Sequence, residues 1–283
     1  MTAGLPALGG WAATLDAAMK AVGPHGRPIR FPQARGGRSA LAVDDTAAQQ
    51  AAEVSGVPSK PGRRRRTWCL RCPAMALFHV ATIAPTKADL IAKWAPTQPW
   101  GPPPDVPIEV IGSYRFDDPD ARVGMETHLV TAGDTLLQVP LTYRDEPLLG
   151  AEDALIVEMQ HSVLGTRWVY DGVRDPRLVV MLAGVAMTGQ GEALGMAEYE
   201  GRWYIAPSNV RIQGGGWTQE RVPVDGFDVA HEDATSVVLR NDRFELTVFR
   251  RLLPGPRPAI GLAATWDGQP DPVVLAEVRE RSS

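Results

Sequence analysis

The sequence predicts an α+β protein: one main helix packed on a curved antiparallel sheet, followed by a small β-rich unit and preceded by a disordered basic extension. Three observations predict it. Segments 108–116, 123–130 and 136–143 alternate apolar and polar residues with the period of a half-buried strand. Residues 176–188 repeat their apolar side chains at spacings of three and four, with a start signal before them and a stop signal after. Beyond 196, short strand-like stretches are separated by turn-forming residues.

The division at the N-terminal end rests on charge. The 283 residues carry 29 Lys+Arg and 33 Asp+Glu. Residues 1–74 hold 11 of the basic residues and 4 of the acidic ones, a net of +7, which leaves the remainder at −11. The first stretch is rich in Ala, Gly, Pro and Arg and shows no sustained period apart from residues 11–22. It reads as disordered. Asp16 and Lys20 interrupt its only apolar stretch and no cationic start precedes it, so it lacks the pattern of a secretory signal. Met75 opens Met-Ala-Leu-Phe-His-Val where organised sequence begins, so translation is expected to start there and residues 1–74 to be an upstream extension. The domains expected after it are 75–192 and 193–283.

Each element has a local cause. Thr86-Lys87-Ala88-Asp89 reads as a capping box with Asp in place of Glu, opening a short helix whose Leu90, Ile91, Trp94 and Ala95 share a face. Pro96 ends it, because the residue before a proline avoids helical geometry. Gly101-Pro102-Pro103-Pro104 is an extended connector to the three alternating segments, and Ala132-Gly133-Asp134 turns the last two into a hairpin. Leu137, Val139, Leu141 and Tyr143 fall on one side. A further strand or hairpin is expected over 155–170. For the main helix, Asp175 is the N-cap, Pro176 suits the first position, and Gly189 closes the end in a left-handed conformation. Turns are expected at Gly214-Gly215-Gly216, read as flexible, and at Asp225-Gly226, Asn241-Asp242 and Asp267-Gly268.

Several chemistries are poorly supported. A net charge of −4 argues against a nucleic-acid surface, and no stretch approaches the ~18–20 apolar residues that a membrane span needs. Two cysteines in one segment cannot build a disulfide framework, which fits a reducing cytoplasm. Cys69-Leu70-Arg71-Cys72 has half-site spacing but no second pair nearby. The arginines at 63–66 read as a solvated tail. His231-Glu232-Asp233 reads as a surface turn, His128 and His161 as cross-strand polar residues, and Asp117, Asp118 and Asp120 as loop composition. No nucleophile elbow or phosphate-binding glycine loop occurs. Tryptophan faces remain, and these either fill cores or stack on sugar rings.

A resemblance narrows the reading. Lys93-Trp94-Ala95-Pro96-Thr97-Gln98-Pro99-Trp100 resembles the segment that opens actinobacterial maltokinases and their relatives, including glucosamine kinases and trehalose-synthase fusions. Val139-Pro140-Leu141-Thr142-Tyr143-Arg144, His161-Ser162-Val163-Leu164-Gly165 and Val169-Tyr170-Asp171-Gly172 with Asp175-Pro176 resemble later landmarks of the same N-terminal cap, over about 77–190. The chain is similar to stand-alone proteins carrying this cap-like domain, often labelled as glucan-branching proteins. The resemblance implies a cystatin-like cap. Thr235-Ser236-Val237-Val238 and the strand 244–251 with Pro254-Gly255-Pro256 resemble the small β-rich kinase lobe.

What the resemblance implies about function follows from what this sequence lacks. The lysine that pairs with ATP phosphates in the kinases aligns with Thr247, and only 33 residues follow Arg250, too few for the lobe bearing the His-Gly-Asp motif and metal ligand. The expectation is a non-catalytic, pseudokinase-like accessory or regulatory protein in trehalose, maltose or α-glucan metabolism, cytoplasmic and without a cofactor. It would hold a sugar or glucan, or dock to an enzyme of that metabolism. The alternatives are an Mg-ATP-dependent sugar kinase completed by another chain, or a carbohydrate-binding module. The ligand or partner surface is assigned to Trp94, Gln98, Trp100, His161, Trp168, Tyr170 and Asp171, with no catalytic residue and no metal.

Overall fold

Capping and alternation account for most of the elements. A computed structural model of the chain describes residues 75–78, 82–199, 202–206, 208–218 and 226–281. The expectations for the disordered extension, for the cysteine pair and for Asp225 lie outside the described residues. After β1 (Met75–Phe78) and β2 (Ile83–Ala84) comes helix α1 (Lys87–Trp94), where the Thr86 hydroxyl accepts from the Asp89 amide at 3.1 Å and donates to its carboxylate at 2.6 Å. Strands β3 (Ile108–Phe116), β4 (Val123–Ala132) and β5 (Thr135–Arg144) form the meander, with Gly133 at φ +57° in its second turn. The expected hairpin is β6 (Leu155–His161) and β7 (Gly165–Asp171).

Helix α2 (Pro176–Thr188) has the limits its signals set. Asp175 accepts from the Arg177 amide at 3.0 Å, and Gly189 sits at φ +70°. Beyond it run β8 (Leu194–Tyr199), β9 (Arg202–Ala206), β10 (Val210–Gly214), β11 (Asp228–Glu232), β12 (Ser236–Arg240), β13 (Phe244–Phe249), β14 (Arg251–Leu252), β15 (Gly261–Trp266) and β16 (Gln269–Glu280).

The α+β class holds, and among the described residues the pairing is antiparallel in every ladder except β1 with β8. The first large sheet has the order β2-β6-β7-β5-β4-β3 and the second β10-β15-β16-β13-β12-β11; β1, β8 and β9 form a small third one. β5 has a divided edge. Its residues 141–144 pair with β7, whereas Leu136 and Leu137 pair with β14, so two strands share that side with a fork between them. Pro140, which has no amide hydrogen to donate, lies at the fork.

Both faces of the first sheet are covered. On one side Leu90, Ile91 and Ala95 pack with Trp100, Val130, Leu137, Val139 and Leu141. On the other, Tyr114, Met125 and Leu129 join Leu178, Leu182 and Ala186 of α2 and Ile212, Leu246, Leu262 and Leu275 of the second sheet in one continuous core. Helix α2 is therefore the middle layer, apolar nearly all round.

One turn departs from its reading. Gly214-Gly215-Gly216 is a close backbone contact rather than a flexible turn. A Cβ on Gly214 would stand 2.0 Å from the Val185 carbonyl oxygen, and one on Gly216 2.5 Å from that of Met187. The amides of Gly216 and Thr218 donate to the Ala186 and Met187 carbonyls at 2.8 and 3.1 Å. The run thus satisfies carbonyls that the last turn of α2 leaves without helical partners.

Candidate functional site

Residues 94–101 form a tight double turn. The Gln98 amide donates to the Ala95 carbonyl and the Gly101 amide to that of Gln98, both at 3.0 Å; the Thr97 hydroxyl donates to the Trp94 carbonyl at 2.8 Å. Only glycine fits at 101, because a Cβ there would lie 1.8 Å from the Ala95 oxygen. The turn folds Trp100 back under Trp94, edge to face at 5.5 Å, with Trp100 fully buried.

A buried arginine lies against that indole. The Arg250 guanidinium is 4.7 Å from the Trp100 ring centroid and is itself fully buried. It occupies the fork in the β5 edge, at the entry to β14, and donates to Asp171 Oδ2, at the end of β7, at 2.5 Å. Its neighbour Arg251 donates to the Trp100 and Gly101 carbonyls at 3.2 and 3.3 Å. Arg250 Nε and Nη1 and the indole nitrogen of Trp100 find no hydrogen-bond partner among the described residues. A buried guanidinium held by one carboxylate and one aromatic face is a structural tie, enclosed from any solute.

The seven residues picked from the sequence therefore separate. Trp94, Trp100 and Asp171 come together around Arg250. Gln98 lies on the double turn, donating to the Thr97 hydroxyl at 2.8 Å. Trp168 and Tyr170 pair with Arg144 and Thr142, so they stand on the opposite face from Asp171. The Tyr170 hydroxyl accepts from the Leu148 amide at 2.9 Å and fixes the loop before β6. His161 Nδ1 accepts from the Val163 and Leu164 amides at 3.2 and 3.1 Å, a turn cap for the β6–β7 hairpin. Asp118 and Asp233 cap loops, whereas His231 and Glu232, read as part of the same turn, end strand β11 instead, with Glu232 paired to Arg174. Asp118 accepts from the Arg122 and Val123 amides, each at 3.0 Å, and Asp233 from those of Thr235 and Ser236 at 2.7 and 2.9 Å.

A second polar cluster has no signal in the sequence pattern. Glu126 and His128 share the β4 face beneath α1, each 1% exposed. Lys87, at the first position of α1, pairs with Glu126 Oε2 and lies over the Tyr143 ring, 5.3 Å from its centroid. The Ser113 hydroxyl is 3.4 Å from Glu126 Oε1, and His128 Nε2 is 3.5 Å from the Tyr143 oxygen. Burial raises the Glu126 carboxyl, but the charges of Lys87, His128 and Arg115 overcome it and leave it ionised down to about 2. Burial lowers His128 to about 4, against the pull of Glu126. Burial and the Glu126 charge push the Tyr143 phenol well up. The arrangement is a buried ion pair beside a neutral imidazole and a neutral phenol.

Residues 94–175 match the family model of the maltokinase N-terminal cap domain. This stretch is similar to the cap domain of that family. No curated protein matches the chain. All seven residues chosen from the sequence fall inside the cap segment, which begins at Trp94 and ends on Asp175, the N-cap of α2. Lys87 and Arg250 fall outside it. The cap segment thus supplies two buried carboxylates, Glu126 and Asp171, that hold cations from the flanking sequence on either side. Among the described residues no three His, Cys, Asp or Glu side chains are grouped to hold a metal, and no helix is long and apolar enough to cross a membrane.

Proposed function

We propose that this chain is a cytoplasmic, non-catalytic accessory or regulatory protein of trehalose, maltose or α-glucan metabolism. It uses a cystatin-like cap to dock to an enzyme of that metabolism. The match of residues 94–175 to the maltokinase cap carries the reading. The non-catalytic part is supported by Thr247. This residue, aligned by resemblance with the kinases' phosphate-pairing lysine, lies in β13 opposite Val238 and Glu277. A hydroxyl beside a carboxylate that Arg279 already pairs offers a triphosphate no charge in the lysine's place. Of the residues assigned to a partner surface, Trp94, Gln98, His161 and Trp168 keep part of their surface in solvent.

Two measurements on the full chain test this. Titrated into a purified maltokinase assayed with maltose and Mg·ATP, the chain is expected to change kcat or KM; calorimetry of the chain alone with Mg·ATP should give no binding heat. Heat from Mg·ATP together with phosphorylated sugar formed by the chain would overturn the accessory reading. Heat from maltose, trehalose, glucosamine or glucan oligomers, with no effect on the enzyme, would replace docking by carbohydrate recognition.

A further inference from the structure

Two side chains able to carry positive charge face a single oxygen. Lys87 Nζ pairs with Glu126 Oε2, and His128 Nε2 lies 3.8 Å from that same atom. The lysine side chain is 21% exposed, whereas Glu126 and His128 are each 1% exposed. Of the three, only Lys87 has solvent to move into. Among the described residues, the other polar groups facing the imidazole come from each neighbouring element. Tyr143 of β5 approaches Nε2 at 3.5 Å, while Ser113 and Arg115 of β3 stand opposite His128 and Glu126 in the ladder. His128 Nδ1 is buried without a hydrogen-bond partner among them.

We propose that this cluster is a proton-operated latch, in which protonated His128 takes Glu126 from Lys87 and frees the first turn of α1 from the sheet. The physical reason is that one carboxylate cannot neutralise two cations within 4 Å in a site of low polarisability, so the mobile one leaves. An imidazolium held inside β4 cannot move away; an ammonium at the end of a four-carbon stem can. Leu90 and Ile91 remain buried one turn further on, so the release is confined to the start of the helix. The low affinity of His128 for protons places the event on the acid side, near pH 4.

Ring-¹⁵N NMR of His128 and amide exchange, both on the full chain, test the latch. In the wild type, the protection factor of the Leu90 amide, bonded to the Thr86 carbonyl at 2.9 Å, should fall at least tenfold as His128 titrates. That of Val179, bonded to the Asp175 carbonyl at 3.1 Å, should stay level. Lys87→Met removes the rival and should raise the His128 midpoint by a unit or more; in His128→Gln the Leu90 protection should no longer respond. A midpoint unmoved in Lys87→Met, level Leu90 protection in the wild type, or simultaneous loss at Leu90 and Val179 would each overturn the latch. Should His128→Gln fail to fold, the wild-type Leu90 and Val179 protections read against the His128 midpoint still decide, because they need no substitution.

Discussion

Arg250 holds its charge in the interior, with Asp171 as its one carboxylate among the described residues. Arg250→Ala would leave that carboxylate buried without a counter-charge, a change that costs about 3–5 kcal/mol. Urea unfolding should show this loss, and Arg250→Met combined with Asp171→Asn should recover part of it. A loss below about 1 kcal/mol would mean that the pair is solvated. His128 sets a second, pH-dependent contribution. Its folded value of about 4 lies below the ordinary 6.5, so the unfolded chain takes up the proton first. Stability from this group is complete above pH 6.5 and is lost as the pH falls to about 4; Glu126, lowered from 4.5 to about 2, acts in the next window down. Between pH 7 and 5 the unfolding free energy should therefore drop by about 2 kcal/mol through His128, and His128→Gln should remove that slope. Neither group is legible in the sequence. Arg250-Arg251 at a strand end reads as solvated, and Glu126 and His128 alternate with Met125, Thr127 and Leu129 as an outward face would. What buries them, the fork in β5 and the lid of α1, comes from far along the chain.

Helix limits are legible where capping is local, as at Thr86, Asp175, Pro176 and Gly189, but not at Pro96: Ala95 before it stays helical at φ −56° and ψ −40°, and the chain runs on as a 3-10 turn to Thr97. The glycine run is not legible either, since its purpose is set by a helix nearly thirty residues upstream. Two glycines of this region separate backbone entropy from steric need. Gly184 lies inside α2, and a Cβ added there would meet nothing within 4 Å, so Gly184→Ala should stabilise by about 0.5–1 kcal/mol and raise Tm. Gly214→Ala would drive a methyl into the Val185 carbonyl and should cost about 1–3 kcal/mol. Thermal unfolding of the two variants checks both signs. If Gly214→Ala melts with the wild type, the contact between the run and α2 is looser than its geometry implies.

At the scale of the molecule, the strands of the first sheet are legible from alternation, and the antiparallel neighbours joined by short turns follow from them. The order of the second sheet is not, because β10 pairs with β15 across a long connection and β14 is only two residues long. Nor does charge or turn spacing reveal that the strands after 209 close over α2 and share one core with the first sheet. That shared core has a measurable consequence. Tryptophan fluorescence and far-UV circular dichroism should report coincident urea transitions over the described region. Two separated midpoints would show that the sheets unfold independently.

The divided edge of β5 also has a consequence in time. Asp171 and Arg250 are 79 residues apart, and the ribosome adds about 5–20 residues each second. For about 4–16 s of synthesis, the carboxylate at the end of β7 waits for its guanidinium, and the half of β5 that β14 will cover stays open. The nascent chain therefore presents an unpaired strand edge beside an unfinished ion pair until translation passes the second sheet.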